Sequence, residues 1–492
     1  MIDLSVARIA EIVGGRLSDI SVADAEATRI TGTVEFDSRA VTPGGLFLAL
    51  PGARSDGHDF AAAAIAAGAA AVLAARPVGV PAVVVPPAAA ADAGAGVLEH
   101  DADGSGAAVL AAVATLAAAV AADLAARGLR IVGLTGSSGK TSTKDLIAAV
   151  LRPLGEVVAP PGSFNNELGH PWTVLRATED TDFLVLEMSA RHRGNIAALA
   201  RIAPPAVGVV LNVGTAHLGE FGSREAIAQT KGELVEALPA SGVAILNADD
   251  AAVAAMRDRT RARVVTVGSS PNADIRAEDV ELDELARPRF TLRAPAGTVR
   301  IELAVHGEHQ VGNALAAAAV ALELGADLSQ VASALAAATP ASRHRMEVLT
   351  RPDGVRIIND AYNANPDSMR AGLQALAVMA RSGGHRSWAV LGEMGELGED
   401  SISEHDRVGR LAVRLDISRL VVVGTGRPMS AMHHGAVMEG SWGSESTPVP
   451  DADAALELLR AELAPGDVVL VKASNAAGLA ALADALAADG SR

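Results

Sequence analysis

The stretch GLTGSSGKTS, Gly133 to Ser142, decides how this chain is read. It follows an apolar run, Arg130 to Leu134, with the character of a buried strand. It precedes a helical pattern that puts Leu146, Ile147, Val150 and Leu151 on one face, with Gly155 near its end. A glycine-rich turn between strand and helix is the setting of a phosphate loop. Gly136 and Gly139 free the backbone N–H groups around Ser137 and Ser138 to turn towards phosphate oxygens, and the helix start adds its positive dipole end. Lys140 can reach the outer phosphates, and the Thr141 hydroxyl can sit on Mg²⁺, with Ser142 beside it. The general pattern asks for glycine at position 134, where this chain has Leu134, so the loop is the tighter T-G-x-x-G-K-T variant. A guanine-reading [NT]-K-x-D segment is absent. Thr230-Lys231-Gly232-Glu233 misses it by its acid, so ATP is the expected nucleotide.

Working outward, short apolar runs alternate with helical patterns. Phe183 to Leu186, Val207 to Leu211, Val243 to Leu246 and Val264 to Val267 follow the loop. This alternation predicts βαβ units and a largely parallel sheet. A Pro-, Gly-, Ala- and Asp-rich stretch, Arg76 to Gly106, predicts a boundary near 105, and a second falls near Ala338 to Ser342. Beyond it the pattern restarts at Val355 to Ile358, Trp388 to Leu391, Leu420 to Val423 and Val468 to Val471. The expected architecture is therefore α/β in three domains. Residues 1–104 form a small mixed unit, 105–340 a phosphate-loop ATPase domain with a mostly parallel sheet, and 341–492 a Rossmann-like domain.

Composition excludes several alternatives. The chain has 492 residues, half of them apolar, so it can bury more than one core. It has no cysteine, which removes disulfides and cysteine-ligated metal centres. The net charge of −17 argues against nucleic acid or an anionic membrane as the main partner. The start lacks the basic and apolar regions of a signal peptide. The alanine-rich run Ala107 to Ala122 is short for a membrane span and reads as an amphipathic or buried helix. A cytoplasmic protein without stable membrane insertion, and a monomer, is expected.

Three side chains stand out beyond the loop. Glu187 ends the run FLVLE, where a carboxylate at a strand end can hold Mg²⁺ or simply cap and pair. His217, in NVGTAH, falls on the next strand-end loop. A lone histidine there is usually structural, and it is a soft partner for magnesium. Ser223 can cap a helix running to Leu238, on which Ile227, Leu234, Val235 and Leu238 form one stripe. Lys231 falls inside that stripe. It either snorkels at the stripe's edge or is a functional lysine facing the active site, where carbamylation would give it negative oxygens for a second Mg²⁺.

At this point the chain resembles the Mur ligase family, along almost its whole length. The segments that carry the resemblance are FDSRAVTPGGLFLAL, DGHDF, TGSSGKTSTKD, SFNNELG, LEMSARHRGNI, LNVGTAHLGEFGS, KGELVEALP, HRMEV, INDAYNANPDSM and LGEMGELG, in that order. The resemblance implies a UDP-sugar-binding first domain, a central ATPase domain and a third domain that brings the second substrate. It implies ATP-driven amide formation through an acyl phosphate. The best-matching members join D-alanyl-D-alanine to UDP-N-acetylmuramoyl-tripeptide for peptidoglycan synthesis. By motif, Lys140 and Thr141 take the phosphate and Mg²⁺ roles, and Glu187 and His217 become metal ligands. Lys231 matches a carbamylated lysine. Ser38 and Arg39 match the uridine-nucleotide site, and Asn165 and Asn166 a contact to the peptide side, with Ser189 and Arg191 in the adjoining segment. Asn313 matches an adenine contact, Arg345 an arginine near the phosphates and Asp360 a ribose contact, with Asn363 and Asn365 close to the nucleotide.

Taken alone, Asn363-Ala364-Asn365-Pro366 is a good turn and Ser38-Arg39 a surface cap. There are also departures from the family pattern: Gln310 stands for an asparagine, Ser189 for a glycine and Asn475 for an arginine. The competing readings are a diaminopimelate- or lysine-adding member, whose diaminopimelate form carries a DNPR motif absent from this chain, folylpolyglutamate synthase, and a nucleotide-dependent regulator without ligase chemistry.

Overall fold

The computed structural model describes residues 1–52, 55–87, 101, 103–214, 218–440, 443 and 445–489. Part of the expected first boundary, at 88–100 and 102, lies outside the described residues, and so does His217.

The central sheet has nine strands, built around Arg130–Thr135. This strand lies between Val207–Val210 and Phe183–Glu187 and is parallel to both. Val157–Val158 continues the parallel sheet on one side, and Val243–Asn247, Arg263–Gly268 and Ile275–Leu282 continue it on the other. Its successive side chains bury on both faces, which is why these strands read as unbroken apolar runs. Chain order reverses at Arg130–Thr135, so the crevice beyond its carboxyl end is where such a sheet receives a ligand. Pro288–Ala294 and Gly297–Glu302 extend the sheet as an antiparallel ribbon that the apolar pattern does not signal.

The third unit has a six-stranded sheet in the order Glu347–Thr350, Arg356–Asn359, Val468–Lys472, Ser387–Leu391, Arg419–Val423 and Ser446–Val449. All neighbours are parallel except the first pair. The N-terminal part carries a five-stranded mixed sheet, from Arg16–Ser18 to Ala82–Val84, and a small two-stranded one.

The helix Ser105–Ala126 is, among the described residues, the one long and apolar enough to cross a membrane. Here its Val109, Val113, Leu116, Val120 and Leu124 pack into one core shared by the first and second units. The first unit is joined to the second again by an aromatic cluster. Phe36 meets Trp172 edge-on at 5.7 Å and Phe164 at 6.3 Å, and Trp172 Nε1 donates to the Val34 carbonyl at 2.7 Å. The third unit is tied on through the phosphate-loop helix Lys140–Leu151. The buried Lys144 donates to Pro160 O at 2.7 Å and Ser342 Oγ at 3.3 Å, and Asp145 accepts the Ser342 N–H.

Candidate active site

The loop between Arg130–Thr135 and Lys140–Leu151 has Gly139 at φ +77°, a conformation favouring glycine. A Cβ there would also lie 2.7 Å from Asn313 Oδ1, so the Asn313 side chain lies over the turn. The Asn212 amide oxygen accepts the backbone N–H groups of Ser137 and Ser138, each at 2.9 Å, and this holds the loop open from the next strand's end. The Lys140 ammonium donates to Gly136 O at 2.8 Å. Burial lowers its pKa, while the Glu187 carboxylate pulls it back up.

Glu187 leaves the neighbouring strand buried, and three groups surround it. Thr141 Oγ1 donates to Oε2 at 3.0 Å, and Asn165 Nδ2 donates to Oε1 at 2.6 Å. Ser163 Oγ is 2.7 Å from the same Thr141 hydroxyl. Arg345, from the third unit, donates to Ser163 Oγ at 2.7 Å and stacks over the Tyr362 ring at 4.2 Å. Next to it Asp360 takes the buried Lys472 ammonium at 2.5 Å and the Met346 N–H at 3.0 Å. Asn365 caps the helix Pro366–Gly383, in a reciprocal pair with Ser368.

One cavity of about 1010 Å³ gathers these groups. Ser137, Ser138, Gly139, Lys140, Thr141 and Ser142 line it. So do Asn165, Asn166, Glu187, Ser189, Arg191, Asn313, Arg345, Asp360, Asn363 and Asn365. Gly136 contributes its carbonyl to Lys140 from behind the wall. Ser38 and Arg39 lie elsewhere. Arg39 is exposed and pairs with Asp37 at 2.7 Å, three residues from the Phe36 that abuts Phe164.

Lys231 lies on the helix Arg224–Glu236, capped by Ser223 as the spacing predicts, and it is buried among Ile227, Leu234 and Val235. It does not line the cavity. Burial, with the Lys140 charge added, holds its amine well below the usual lysine range, and no carboxylate among the described residues offsets this. A snorkelling lysine would keep its ammonium in water. This one does not.

The oxygen donors around Thr141 and Glu187 suit a hard divalent cation. Among the described residues there is no cluster of three or more His, Asp or Glu that could hold a metal alone, so phosphate oxygens and water would complete such a site. Sequence reasoning passed over Ser163, Asn212, Tyr362, Glu396 and Lys472. Ser163 and Asn212 lie within motifs already singled out, and only their contacts reveal what they do.

A phosphate loop at a sheet's switch point, with a carboxylate and two hydroxyls beside it and an arginine arriving from a separate α/β unit, defines a phosphoryl-transfer enzyme assembled between domains. Family models match as Mur ligase family, catalytic domain over 31–123, Mur ligase middle domain over 134–321, and Mur ligase, glutamate ligase domain over 344–475. The chain belongs to the Mur ligase family. It is 72% identical to the UDP-N-acetylmuramoyl-tripeptide–D-alanyl-D-alanine ligase of Mycobacterium bovis, over 99% of this chain and 98% of the relative. Among solved structures, MurF from Acinetobacter baumannii superposes with a TM-score of 0.82 at 30% identity, covering 99% of both chains. MurF ligase from Thermotoga maritima, solved in complex with ADP, gives 0.73 at 27% identity, over 94% of this chain and 98% of that one.

Proposed function

We propose that this chain is the ATP-dependent ligase that joins D-alanyl-D-alanine to UDP-N-acetylmuramoyl-tripeptide, giving the pentapeptide precursor of peptidoglycan. The observation that carries this reading is the single cavity in which the phosphate loop, Glu187 and the third unit's Arg345 and Asp360 meet. It is supported by near-full-length identity to a curated ligase of that name. In this reading, with ATP and a UDP-linked substrate, the reaction is cytoplasmic.

In this reading residues 1–104 hold the UDP-sugar end at Ser38 and Arg39. Residues 105–340 hold ATP, and 341–492 bring the dipeptide. Asn165, Asn166, Ser189 and Arg191 face the muramoyl peptide. Asn313 contacts adenine, Asp360 the ribose, and Asn363 and Asn365 the nucleotide's surroundings. Thr141 and Glu187, with His217, would hold Mg²⁺. When bound, the ion offsets negative charge on the phosphates.

The tripeptide's terminal carboxylate attacks the γ-phosphorus. An O–P bond forms, the β–γ bridge breaks, and ADP leaves. Lys140, steered by the Gly136 carbonyl, and Arg345, steered by Ser163 and Tyr362, face the charge that develops there. The dipeptide amine then attacks the acyl carbon and loses a proton, and the C–O bond to phosphate breaks. Closure of the third unit over the cleft keeps water from the acyl phosphate.

Lys231 fits a carbamate. Burial and the Lys140 charge push its pKa well down, which favours the neutral amine, and a neutral amine adds CO₂ to give an N-carboxylate with loss of a proton. A carbamate there would supply oxygens of the kind a second Mg²⁺ takes, and among the described residues the one charge that acts on this amine is that of Lys140.

The test is ADP release with ATP, Mg²⁺, the muramoyl tripeptide and D-Ala-D-Ala, each omitted in turn, with the product followed by mass. Release that requires both acyl donor and acceptor, with a pentapeptide product, is expected. Release with neither would overturn the ligase reading.

A further inference from the structure

Five lysine and arginine side chains line the cavity: Lys140, Arg191, Arg345, Arg370 and Lys472. Four are committed. Lys140 donates to Gly136 O, Arg191 pairs with Glu396 at 3.4 Å, Arg345 holds Ser163, and Lys472 holds Asp360. Arg370 is the fifth. It is exposed, and among the described residues no carboxylate, carbonyl or hydroxyl accepts from it.

Its position follows from the helix that carries it. In Pro366–Gly383, Met369, Leu373 and Leu376 are buried against the third sheet, while Asp367, Arg370, Ala371 and Gln374 line the cavity. The first turn of this helix touches the central unit. A Cβ on Gly214 would collide with the Asp367 carboxylate, and the Gly214 N–H donates to Ser137 Oγ in the phosphate loop at 2.9 Å. Arg370 is therefore three residues, about 4.5 Å along the axis, from the point where the helix meets Gly214 and, through it, the phosphate loop. The wall formed by Ser474, Asn475 and Ala476 adds no charge.

The proposed reaction brings a dipeptide with two unlike ends. Its amine is consumed in the new amide, but its carboxylate survives into the product. A carboxylate carried into a closing cleft must find a cation. We propose that Arg370 is the acceptor-carboxylate site, its guanidinium gripping the free carboxylate of the dipeptide so that the amine points towards the phosphate loop. An extended dipeptide spans about 7 Å, which suits one end held a helical turn above the loop. Gln374, one further turn along the same face, offers its amide to the same ligand. Arg370 is thereby a specificity residue, rejecting amines that lack a carboxylate at this distance. This assignment rests on the ligase reading above.

The experiment crosses the residue with the ligand group. Wild type, Arg370→Ala and Arg370→Lys, as full chains, are assayed with D-Ala-D-Ala and with its C-terminal amide. In wild type, amidation is expected to cut kcat/KM by about tenfold or more, the range of a charge-assisted hydrogen bond. Arg370→Ala should lose a similar factor with the free acid, and amidation should then cost it less than about twofold more. Arg370→Lys should recover part of the loss. KM for ATP and for the muramoyl peptide should stay within about twofold. An alanine variant that still discriminates acid from amide as wild type does overturns the assignment, and so does a parallel rise in the KM for ATP. Wild type that makes no product with D-Ala-D-Ala overturns the ligase reading itself, and Arg370's role with it. An active wild type with independent effects sinks Arg370 alone. Because Arg370 is exposed, its alanine variant is expected to fold, and a thermal melt of each variant checks this.

Discussion

The Thr141 hydroxyl donates to Glu187 Oε2 at 3.0 Å, joining the first turn of the phosphate-loop helix to the end of the adjacent parallel strand. The two residues are far apart in sequence. They meet because the strand Phe183–Glu187 lies directly beside Arg130–Thr135. The same carboxylate is held from its other oxygen by Asn165. It is buried, aimed at the phosphate loop, and within the field of Lys140.

Glu187→Gln keeps the shape of this arrangement and removes the charge. The expected result is a fall in kcat on the order of a hundredfold, with a higher Mg²⁺ concentration needed for half-maximal rate. Steady-state ADP release across a Mg²⁺ titration checks it. A variant with normal rate and normal Mg²⁺ dependence would remove Glu187 from the metal site.

Lys231 gives a chemical-rescue prediction. Lys231→Ala leaves space in an apolar helix face where the proposed carbamate would stand. The variant should be inactive in buffer alone and partly active with added short carboxylates such as formate or acetate. Wild type incubated with ¹³C-bicarbonate should show a carbamate carbon by NMR that the variant lacks. Full activity of the variant without any added acid would rule the carbamate out.

Lys231 also shows what was readable in advance. A charge inside the stripe Ile227, Leu234, Val235 and Leu238 is visible from 100° spacing alone, and the burial follows. The two parallel sheets were legible for a similar reason, since strands buried on both faces leave unbroken apolar runs. The antiparallel ribbon Ile275–Leu282, Pro288–Ala294 and Gly297–Glu302 was not. Its strands alternate apolar positions with Arg276, Arg289, Arg293 and Arg300, and half of each faces water. Arg370, Asp367 and Glu396 were equally silent. Each looks like an ordinary surface charge until the third unit lies against the central one, and no local pattern encodes that contact. Motif resemblance named Arg345 and Asp360, but the partners that orient them, Ser163, Tyr362 and Lys472, required coordinates.

His170 yields a pH prediction. Its ring is fully buried on the short helix Gly169–Val174, and burial lowers its pKa to about 4, against the pull of the Leu199 and Glu187 carbonyls. The folded state therefore binds fewer protons than the unfolded state between these values. The stability that comes from keeping the ring neutral is complete above the ordinary value of about 6.5 and drains away as pH falls towards 4, by up to about 3 kcal/mol. Urea midpoints should fall across that window in wild type. In His170→Asn the midpoint should be lower at pH 7 and the slope through the window shallower. An unchanged slope would show that other groups carry the acid sensitivity.

The pair between Lys472 and Asp360 combines burial with position. Both lie at carboxyl ends of adjacent parallel strands, both are almost wholly buried, and the ammonium also donates to the Asn363 carbonyl at 3.0 Å. Lys472→Met strands the Asp360 carboxylate with only the Met346 N–H, and should cost about 3–5 kcal/mol of stability. Asp360→Asn alone strands the ammonium and should cost a comparable amount. The double variant removes both charges, and its loss should be well short of the sum, because neither group is left charged and alone. Denaturant unfolding of the three variants measures the coupling. Additive losses would mean that the two residues stabilise the third unit independently, and that the contact at the cleft edge is not what holds Asp360 in place for the proposed ribose contact.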